Sequence, residues 1–302
     1  MLQAIGAGSV AELFDVVPPA VRFPELRLPE PLSELELMRE LRRMSGRNAD
    51  TLSSLSFLGG GAYNHFVPSA VDAILRRAEY YTSYTPYQPE LSQGTLQAIF
   101  EYQTLICALT GMDAANASHY DGATALAEAA IMALHSTRNR RTILVAPTVH
   151  PYYRQTLRTY TQGLGVRVTG DEDLAAPLES ILRRIDSTTA AVIVQTPDFL
   201  GQLHDLRPIA GAVHSAGGLL IASIDPISLG LFQNPGAAGA DIVTAEGQPL
   251  GIPLSFGGPY LGIFACKEQY IRRMPGRLAG ATTDMNGDVG YVLTLQTLEQ
   301  HI

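Results

Sequence analysis

The chemistry open to this chain depends first on a place where an amine side chain is missing. Residues 241–262 read as a β-strand followed by a glycine-rich loop, a setting in which a lysine could form a Schiff base with a carbonyl compound. That segment holds Gln248 and no lysine, and Lys267 is the single lysine of the 302 residues. A carboxamide cannot form an imine, so a covalent cofactor site at this loop would lack its own anchor.

Three other positions carry residues that suit a flat cofactor or an anion. Asp225 follows a buried apolar run and would lie at the ligand edge of a parallel sheet, where a carboxylate could pair with a protonated ring nitrogen. Gly122 and Thr124 begin an alanine-rich helix after Asp121, and free amides at such a start can hold a phosphate. His150 could stack on a flat ring. Each also has a plain structural interpretation: Asp225 as a turn residue, Asp121 as an N-cap that would repel an anion, and His150 as a packed strand end.

Two loops look suited to binding or to an interface. Residues 80–94 contain four tyrosines and two prolines, so the backbone is stiff and the tyrosines offer flat faces with hydroxyl tips. Residues 58–68 combine three consecutive glycines with Asn64 and His65, which indicates a loop that approaches a ligand or partner closely. Packing on the chain's own core is the alternative for the tyrosine-rich segment.

The remaining pattern predicts an α/β fold. Short β-branched runs alternate with helical stretches after residue 141, and continuous apolar runs suit parallel strands that are covered on both faces. We therefore expect a doubly wound, mostly parallel sheet. The predicted strands are 142–146, 165–169, 190–195, 218–223, 241–244 and 260–265, and the predicted helices are 93–111, 151–163, 174–186 and 205–216.

Residues 1–56 form a predicted N-terminal arm that precedes a large domain at 57–302. Ser33 and Glu36 fit a capping box at the start of a helix that stops at Gly46, and residues 18–31 read as an extended, proline-rich connector. The arm could pack on a neighbouring subunit or on its own domain.

The composition argues against several classes of function. The chain is 46% hydrophobic with a formal net charge of −8, and it has neither a long basic run nor about eighteen consecutive apolar residues. Glu12 and Asp15 interrupt the first candidate for a secretion signal. Cys107 and Cys266 lack a partner motif, so we expect two reduced thiols and no metal site. We expect a cytoplasmic protein that binds neither nucleic acid nor membrane.

With these pieces in order, the chain resembles the N-terminal half of the glycine cleavage system P protein, in the form in which glycine decarboxylase is split into two subunits. The resemblance covers nearly the whole chain and rests on residues 57–65, 84–94, 225–230, 247–262 and 291–296. It implies the large domain of the fold type I enzymes that depend on pyridoxal phosphate. It also implies a smaller C-terminal domain beyond residue 302, which fits the abrupt end of the segment 291–302.

The resemblance further implies that two homologous subunits pair and that only the second carries the lysine that holds pyridoxal phosphate. Gln248 then falls at the lysine position, and residues 257–259 fall at the glycine-rich loop of the partner. The chain's own pocket would be vestigial, with no catalytic residue of its own, and its members would be Gly122, Thr124, His150, Asp225 and Gln248.

The implied activity is decarboxylation of glycine, followed by transfer of the aminomethyl group to the lipoyl arm of H protein. We hypothesise that this chain, inactive alone, contributes residues to the partner's site. Tyr84, Tyr87 and Gln88 would shape that pocket, and Asn64 and His65 would approach the substrate or the lipoyl entrance. Ser92 and Gln93 would offer hydrogen-bond donors at the next helix start.

Two alternatives remain open at this point. The chain could be an autonomous pyridoxal-phosphate enzyme that uses Lys267, although Lys267 opens a charged stretch where an exposed side chain is expected. It could instead be a purely structural partner that stabilises the catalytic subunit and never contacts substrate.

Overall fold

The computed structural model of the chain describes residues 1–51, 53–57 and 59–295. It divides into two compact units, Met1–Ser56 and Phe57–Ile302. Leu58 of the glycine-rich motif, Gln296 of the 291–296 motif and the expected element that runs to residue 302 lie outside the described residues.

The first unit is built from short helical segments and one capped helix. Three 3-10 helices, Leu2–Ile5, Ala11–Phe14 and Pro19–Val21, precede helix α1 at Glu34–Ser45. The predicted capping box is confirmed, because the Ser33 hydroxyl accepts from the Glu36 amide while the Glu36 carboxylate accepts from the Ser33 amide. The connector at 18–31 is extended only after its 3-10 turn, because Pro19 holds φ near the helical value.

The second unit alternates strands and helices as the sequence predicts. Its helices are α2 (Ser69–Leu75), α3 (Ala78–Tyr81), α4 (Gln93–Thr110), α5 (Gly122–Ser136), α6 (Pro151–Thr161), α7 (Leu178–Leu182) and α8 (Leu206–Ser215). Its strands are β1 (Ala114–Ala115), β2 (Thr142–Val145), β3 (Arg167–Thr169), β4 (Thr189–Thr196), β5 (Leu219–Ile224), β6 (Ile242–Glu246), β7 (Gly262–Cys266), β8 (Leu278–Thr283) and β9 (Val289–Thr294).

Seven strands form one sheet in the order β1-β7-β6-β5-β4-β2-β3, and β8 and β9 form a separate hairpin. Strands β3, β2, β4, β5 and β6 run parallel, whereas β7 runs antiparallel to both β6 and β1. Every residue of β5 and β6 is buried, so both faces of the sheet are covered. The segments that follow β2, β4, β5 and β6 therefore meet at a single edge, the carboxyl edge of the sheet.

The predicted helix at 174–186 is mostly wrong. Only Leu178–Leu182 is helical, because Pro177 is the N-cap and a proline disfavours helical geometry in the residue before it. Strand β3 likewise starts two residues later than predicted, at Arg167.

Candidate functional site at the carboxyl edge

A cavity of about 330 Å³ opens at the carboxyl edge of the sheet. Its walls include His150 after β2, Asp225 after β5 and Glu246 at the end of β6, together with Gly61 and Tyr63 from the glycine-rich loop. Two of the residues predicted for the vestigial pocket, His150 and Asp225, thus line one cavity, and Gln248 begins the 3-10 helix Gln248–Leu250 that follows β6.

Gln248 is 1% exposed, and its carboxamide is fully engaged within the chain. The two Nε2 hydrogens are donated to the carbonyl oxygens of Tyr63, at 3.1 Å, and Ile252, at 2.7 Å. The Oε1 atom accepts from the Tyr63 amide at 3.2 Å. The side chain at the predicted lysine position therefore holds the backbone of the glycine-rich loop.

Glu246 occupies the helix start that the sequence offers to a phosphate. One carboxylate oxygen accepts from the Gly122 amide at 3.0 Å, and the other accepts from the amides of Gln248 and Leu261 at 3.0 and 3.1 Å. Burial raises the pKa of Glu246, although these three amides act in the opposite direction. The predicted anion site is thus filled by a carboxyl group of the protein itself.

The rest of the first turn of this helix is capped by its own side chains. Asp121 is the N-cap, as predicted, and its Oδ1 atom accepts from the amide and the hydroxyl of Thr124 at 2.7 and 2.8 Å. The Thr124 hydroxyl is therefore not directed to a ligand. A Cβ atom on Gly122 would lie 2.5 Å from the Tyr153 hydroxyl, so the close approach that glycine permits is already used.

His150 is packed rather than open to a cofactor ring. Tyr153 stacks on it with ring centroids 4.6 Å apart, and Gly61 is so close that an added Cβ would lie 3.3 Å from the ring. The Nδ1 atom accepts from the Tyr152 amide at 3.1 Å, so Nε2 carries the proton and donates to the Gly60 carbonyl at 2.6 Å. Burial lowers the pKa of His150, which favours this neutral tautomer.

Asp225 keeps the position that the sequence predicts. Its Oδ1 atom accepts from the Ile227 amide at 2.9 Å and caps the 3-10 helix Pro226–Gly230. The simpler turn role is therefore present, and the residue also faces the cavity.

Taken together, these residues do not fit pyridoxal phosphate. Gln248 offers no amine, Glu246 and Asp121 take the helix amides that would bind a phosphate, and His150 is covered by the chain's own loop. Asp225 alone is placed to meet a cofactor ring. A third anion at this helix start would also be repelled by two carboxylates.

Lys267 lies at the opposite edge of the sheet. Strand β7 runs antiparallel to β6, so the residue after Cys266 lies beside the start of β6 and away from the cavity. The Nζ atom is 3.7 Å from Asp241 Oδ1, and the side chain is 32% exposed. Lys267 is therefore partly exposed rather than fully exposed, and its ammonium group faces the buried carboxylate of Asp241.

The tyrosine-rich loop forms a second concave surface. Tyr84, Tyr87, Gln88 and Ser92 line a groove of about 450 Å³ between α3 and α4. Tyr84 is 84% exposed, so its aromatic face is free for another molecule. The structure thus brings four of the predicted partner-site residues together.

Arg277 fixes one end of this groove. Its Nη2 atom donates to the Tyr87 hydroxyl at 2.6 Å, and its guanidinium lies 5.2 Å from the centre of the same ring. Tyr87 is therefore oriented by a residue that follows β7, which the sequence does not indicate.

Gln93 does not offer the donors that the sequence suggests. Both Nε2 hydrogens go to backbone carbonyls, of Pro89 at 2.7 Å and of Tyr291 at 2.9 Å, and Oε1 accepts from the Tyr291 amide at 2.8 Å. Ser92 is the N-cap of α4 but makes no side-chain capping bond, so its hydroxyl remains available in the groove. Gln93 therefore binds the backbone of β9 at Tyr291.

Asn64 and His65 follow the glycine-rich loop on the surface, with Asn64 exposed and His65 partly buried. The ring of His65 meets that of Tyr63 edge-on, with centroids 6.3 Å apart. Neither residue lines the edge cavity or the tyrosine groove.

Within the described ranges, no helix combines the length and apolar character that a membrane crossing needs. Over the same residues, no group of three or more His, Cys, Asp or Glu side chains is arranged to hold a metal ion. Both cysteines are free thiols, as predicted, and burial raises the pKa of Cys266 to about 12.

Comparison with known proteins decides the family. The family described as "Glycine cleavage system P-protein" matches residues 1–302, the full chain. The chain belongs to the glycine cleavage system P-protein family. It is 53% identical to proteins named "Probable glycine dehydrogenase (decarboxylating) subunit 1" from Desulfitobacterium hafniense and Thermomicrobium roseum, over 100% of this chain and 68% of each relative.

Solved structures agree with this P-protein assignment. A crystal structure of glycine decarboxylase (P-protein) of the glycine cleavage system, in inhibitor-bound form, superposes with a TM-score of 0.89 at 46% identity, over 98% of this chain and 67% of that one. A sphingosine-1-phosphate lyase of Burkholderia pseudomallei shares only the fold, with a TM-score of 0.59 at 15% identity, over 91% of this chain and 67% of that one. The predicted fold type I architecture is confirmed.

Sequence reasoning missed Glu246, Tyr63 and Arg277. Glu246 ends a buried strand next to the ligand edge, which is the same signal that singled out Asp225, so it was open to the same inference. Tyr63 and Arg277 act through partners 185 and 190 residues away, for which the sequence carries no local signal.

Proposed function

We propose that this chain is the subunit of glycine dehydrogenase (decarboxylating) that lacks the cofactor lysine. A second subunit would hold pyridoxal phosphate, which serves as an electron sink in the decarboxylation of glycine. The aminomethyl group would pass to the lipoyl arm of H protein. One observation carries the proposal: the carboxamide of Gln248, the residue predicted to stand at the lysine position, makes all its hydrogen bonds to Tyr63 and Ile252.

Two further observations support it. The relatives that match the whole chain are named as subunit 1, which implies at least one further subunit. In the chain's own pocket, Glu246 and Asp121 accept from the Gly122 and Thr124 amides that would otherwise bind the phosphate of the cofactor. We place the assembled enzyme in the cytoplasm and assign this chain no activity alone.

Borohydride reduction of the assembled pair tests where the cofactor is held. We expect the reduced pyridoxyl group on a lysine of the second subunit and none on this chain, because Lys267 pairs with Asp241 at the far edge of the sheet. Mass spectrometry of the separated subunits locates the adduct. An adduct on Lys267 in stoichiometric yield would instead establish this chain as an autonomous cofactor enzyme.

The proposal includes direct contributions from the tyrosine groove. Tyr84→Ala and Gln88→Ala should each lower kcat/KM of the assembled pair by about tenfold or more, as expected when an interaction worth about 1.4 kcal/mol in the transition state is lost. Tyr84 is largely exposed in this chain, so its removal should not affect folding.

Tyr160→Ala is the control for loss of a tyrosine elsewhere, since Tyr160 is 39% exposed near the end of α6 and lies on neither cavity. Steady-state kinetics of the three variants would distinguish a subunit that contributes residues to the partner's site from a purely structural partner. Normal assembly with unchanged turnover in all three would favour the purely structural partner.

A further inference from the structure

The glycine-rich loop at 59–63 is attached to the core at two points that lie far from it in sequence. The Gly60 carbonyl accepts from His150 Nε2 at 2.6 Å, across 90 residues. The backbone N–H of Tyr63 donates to Gln248 Oε1 at 3.2 Å, and the Tyr63 carbonyl accepts from Gln248 Nε2 at 3.1 Å, across 185 residues. The three glycines of the loop, Gly59, Gly60 and Gly61, have positive φ values of 64, 89 and 95°. The loop therefore depends on outside partners to keep one path.

We propose that Gln248 and His150 are positioning residues, which hold this loop so that Asn64 and His65 are presented to the second subunit. The inference rests on the proposed function, because it assigns the loop a place at the catalytic site of the pair. Gln248, at the predicted lysine position, and His150, predicted to stack on a cofactor ring, would thus hold the loop instead of binding a cofactor.

The chemistry of the carboxamide suits this role. A peptide unit offers one donor and one acceptor, and a carboxamide can satisfy both at once, whereas an ammonium group only donates. Gln248 is 1% exposed, so any unpaired group would be costly, and its remaining N–H is donated to the Ile252 carbonyl at 2.7 Å. Every polar hydrogen of the side chain therefore has a partner.

His150 holds the loop by close packing as well as by its hydrogen bond. The neutral imidazole donates to Gly60, and a Cβ on Gly61 would lie 3.3 Å from two atoms of the ring. Only a residue without a side chain can lie this close while φ is +95°. Stacking on Tyr153 keeps the ring from turning away from the loop.

The test combines Gln248→Leu and His150→Phe with a chemically matched control. Gln103 is also buried, and it makes the same two-point pair with the backbone of Ala279, at 3.0 and 2.9 Å. Gln103→Leu removes equivalent bonds at a distant place. His150→Phe keeps the aromatic stack and removes only the hydrogen bonds, so it remains informative if Gln248→Leu folds poorly.

Hydrogen exchange of the peptide that spans residues 57–66, measured in the assembled pair, reports the anchoring. Both test variants should exchange about tenfold faster there, since Gln248→Leu removes two hydrogen bonds to the loop and His150→Phe removes one, while Gln103→Leu should match the unmodified pair. Their kcat/KM for glycine should also fall about tenfold relative to Gln103→Leu.

Unchanged exchange at 57–66 in both variants would overturn the anchoring. Faster exchange with kcat and KM equal to those of Gln103→Leu would overturn the positioning role. Failure of the proposed function is a different result, because the unmodified pair would then release no carbon dioxide from glycine while the exchange data still decide whether the loop is anchored.

Discussion

Replacing Glu246 with alanine should lower the free energy of unfolding by about 3 to 5 kcal/mol, because three backbone amides lose their acceptor at once. Those amides belong to Gly122, Gln248 and Leu261, which lie on three separate segments. The carboxylate therefore joins the start of α5, the 3-10 helix that begins at Gln248 and the entry to β7. Chemical unfolding followed by circular dichroism measures the loss.

Two comparisons sharpen this prediction. Glu268→Ala removes an exposed glutamate and should change stability by no more than about 0.5 kcal/mol. Glu246→Gln keeps the shape but turns an NH₂ group toward at least one amide donor, so its cost should be intermediate. A loss below about 1 kcal/mol in Glu246→Ala would mean that the three amides find other acceptors.

The pH dependence follows from the direction of the Glu246 pKa. Because burial raises the folded-state pKa above the unfolded value, the folded protein binds the extra proton in the interval between the two. Stability from this group is present below the unfolded pKa and falls as pH rises through the folded pKa. As pH rises across that interval, the free energy of unfolding of the unmodified chain should therefore fall relative to that of Glu246→Gln, whose side chain does not titrate.

The fold and the location of the pocket could be predicted because they depend on short-range patterns. Apolar runs identified parallel strands, and the carboxyl ends of such strands meet at one edge, so Asp225 and His150 were expected there, and the family resemblance added Gln248 to the same pocket. The structure places all three there. The predicted helix at 174–186 failed where Pro177 outweighed an otherwise helical pattern.

What fills the pocket could not be predicted from local patterns. The pairing of Gln248 with Tyr63 and of His150 with Gly60 depends on how a distant loop lies across the sheet edge. Propensity and periodicity describe neighbours along the chain, and they do not report which backbone groups meet across 90 or 185 residues. The same limit explains why Gln93 was expected to face a partner, when it pairs with Tyr291 instead.

The largest effect on activity is expected from adding the second subunit. This chain provides no amine at the carboxyl edge, and its sole lysine is held by Asp241 at the other edge. We therefore expect catalysis to depend wholly on a lysine from another polypeptide, whereas both the tyrosine groove and the anchored loop would act on that polypeptide's site.

Release of labelled carbon dioxide from carboxyl-labelled glycine tests this dependence most directly. It should be measured with pyridoxal phosphate and lipoylated H protein for this chain alone, for the second subunit alone and for the two together. We predict release above background only from the mixture. Sustained release by this chain alone would contradict the account.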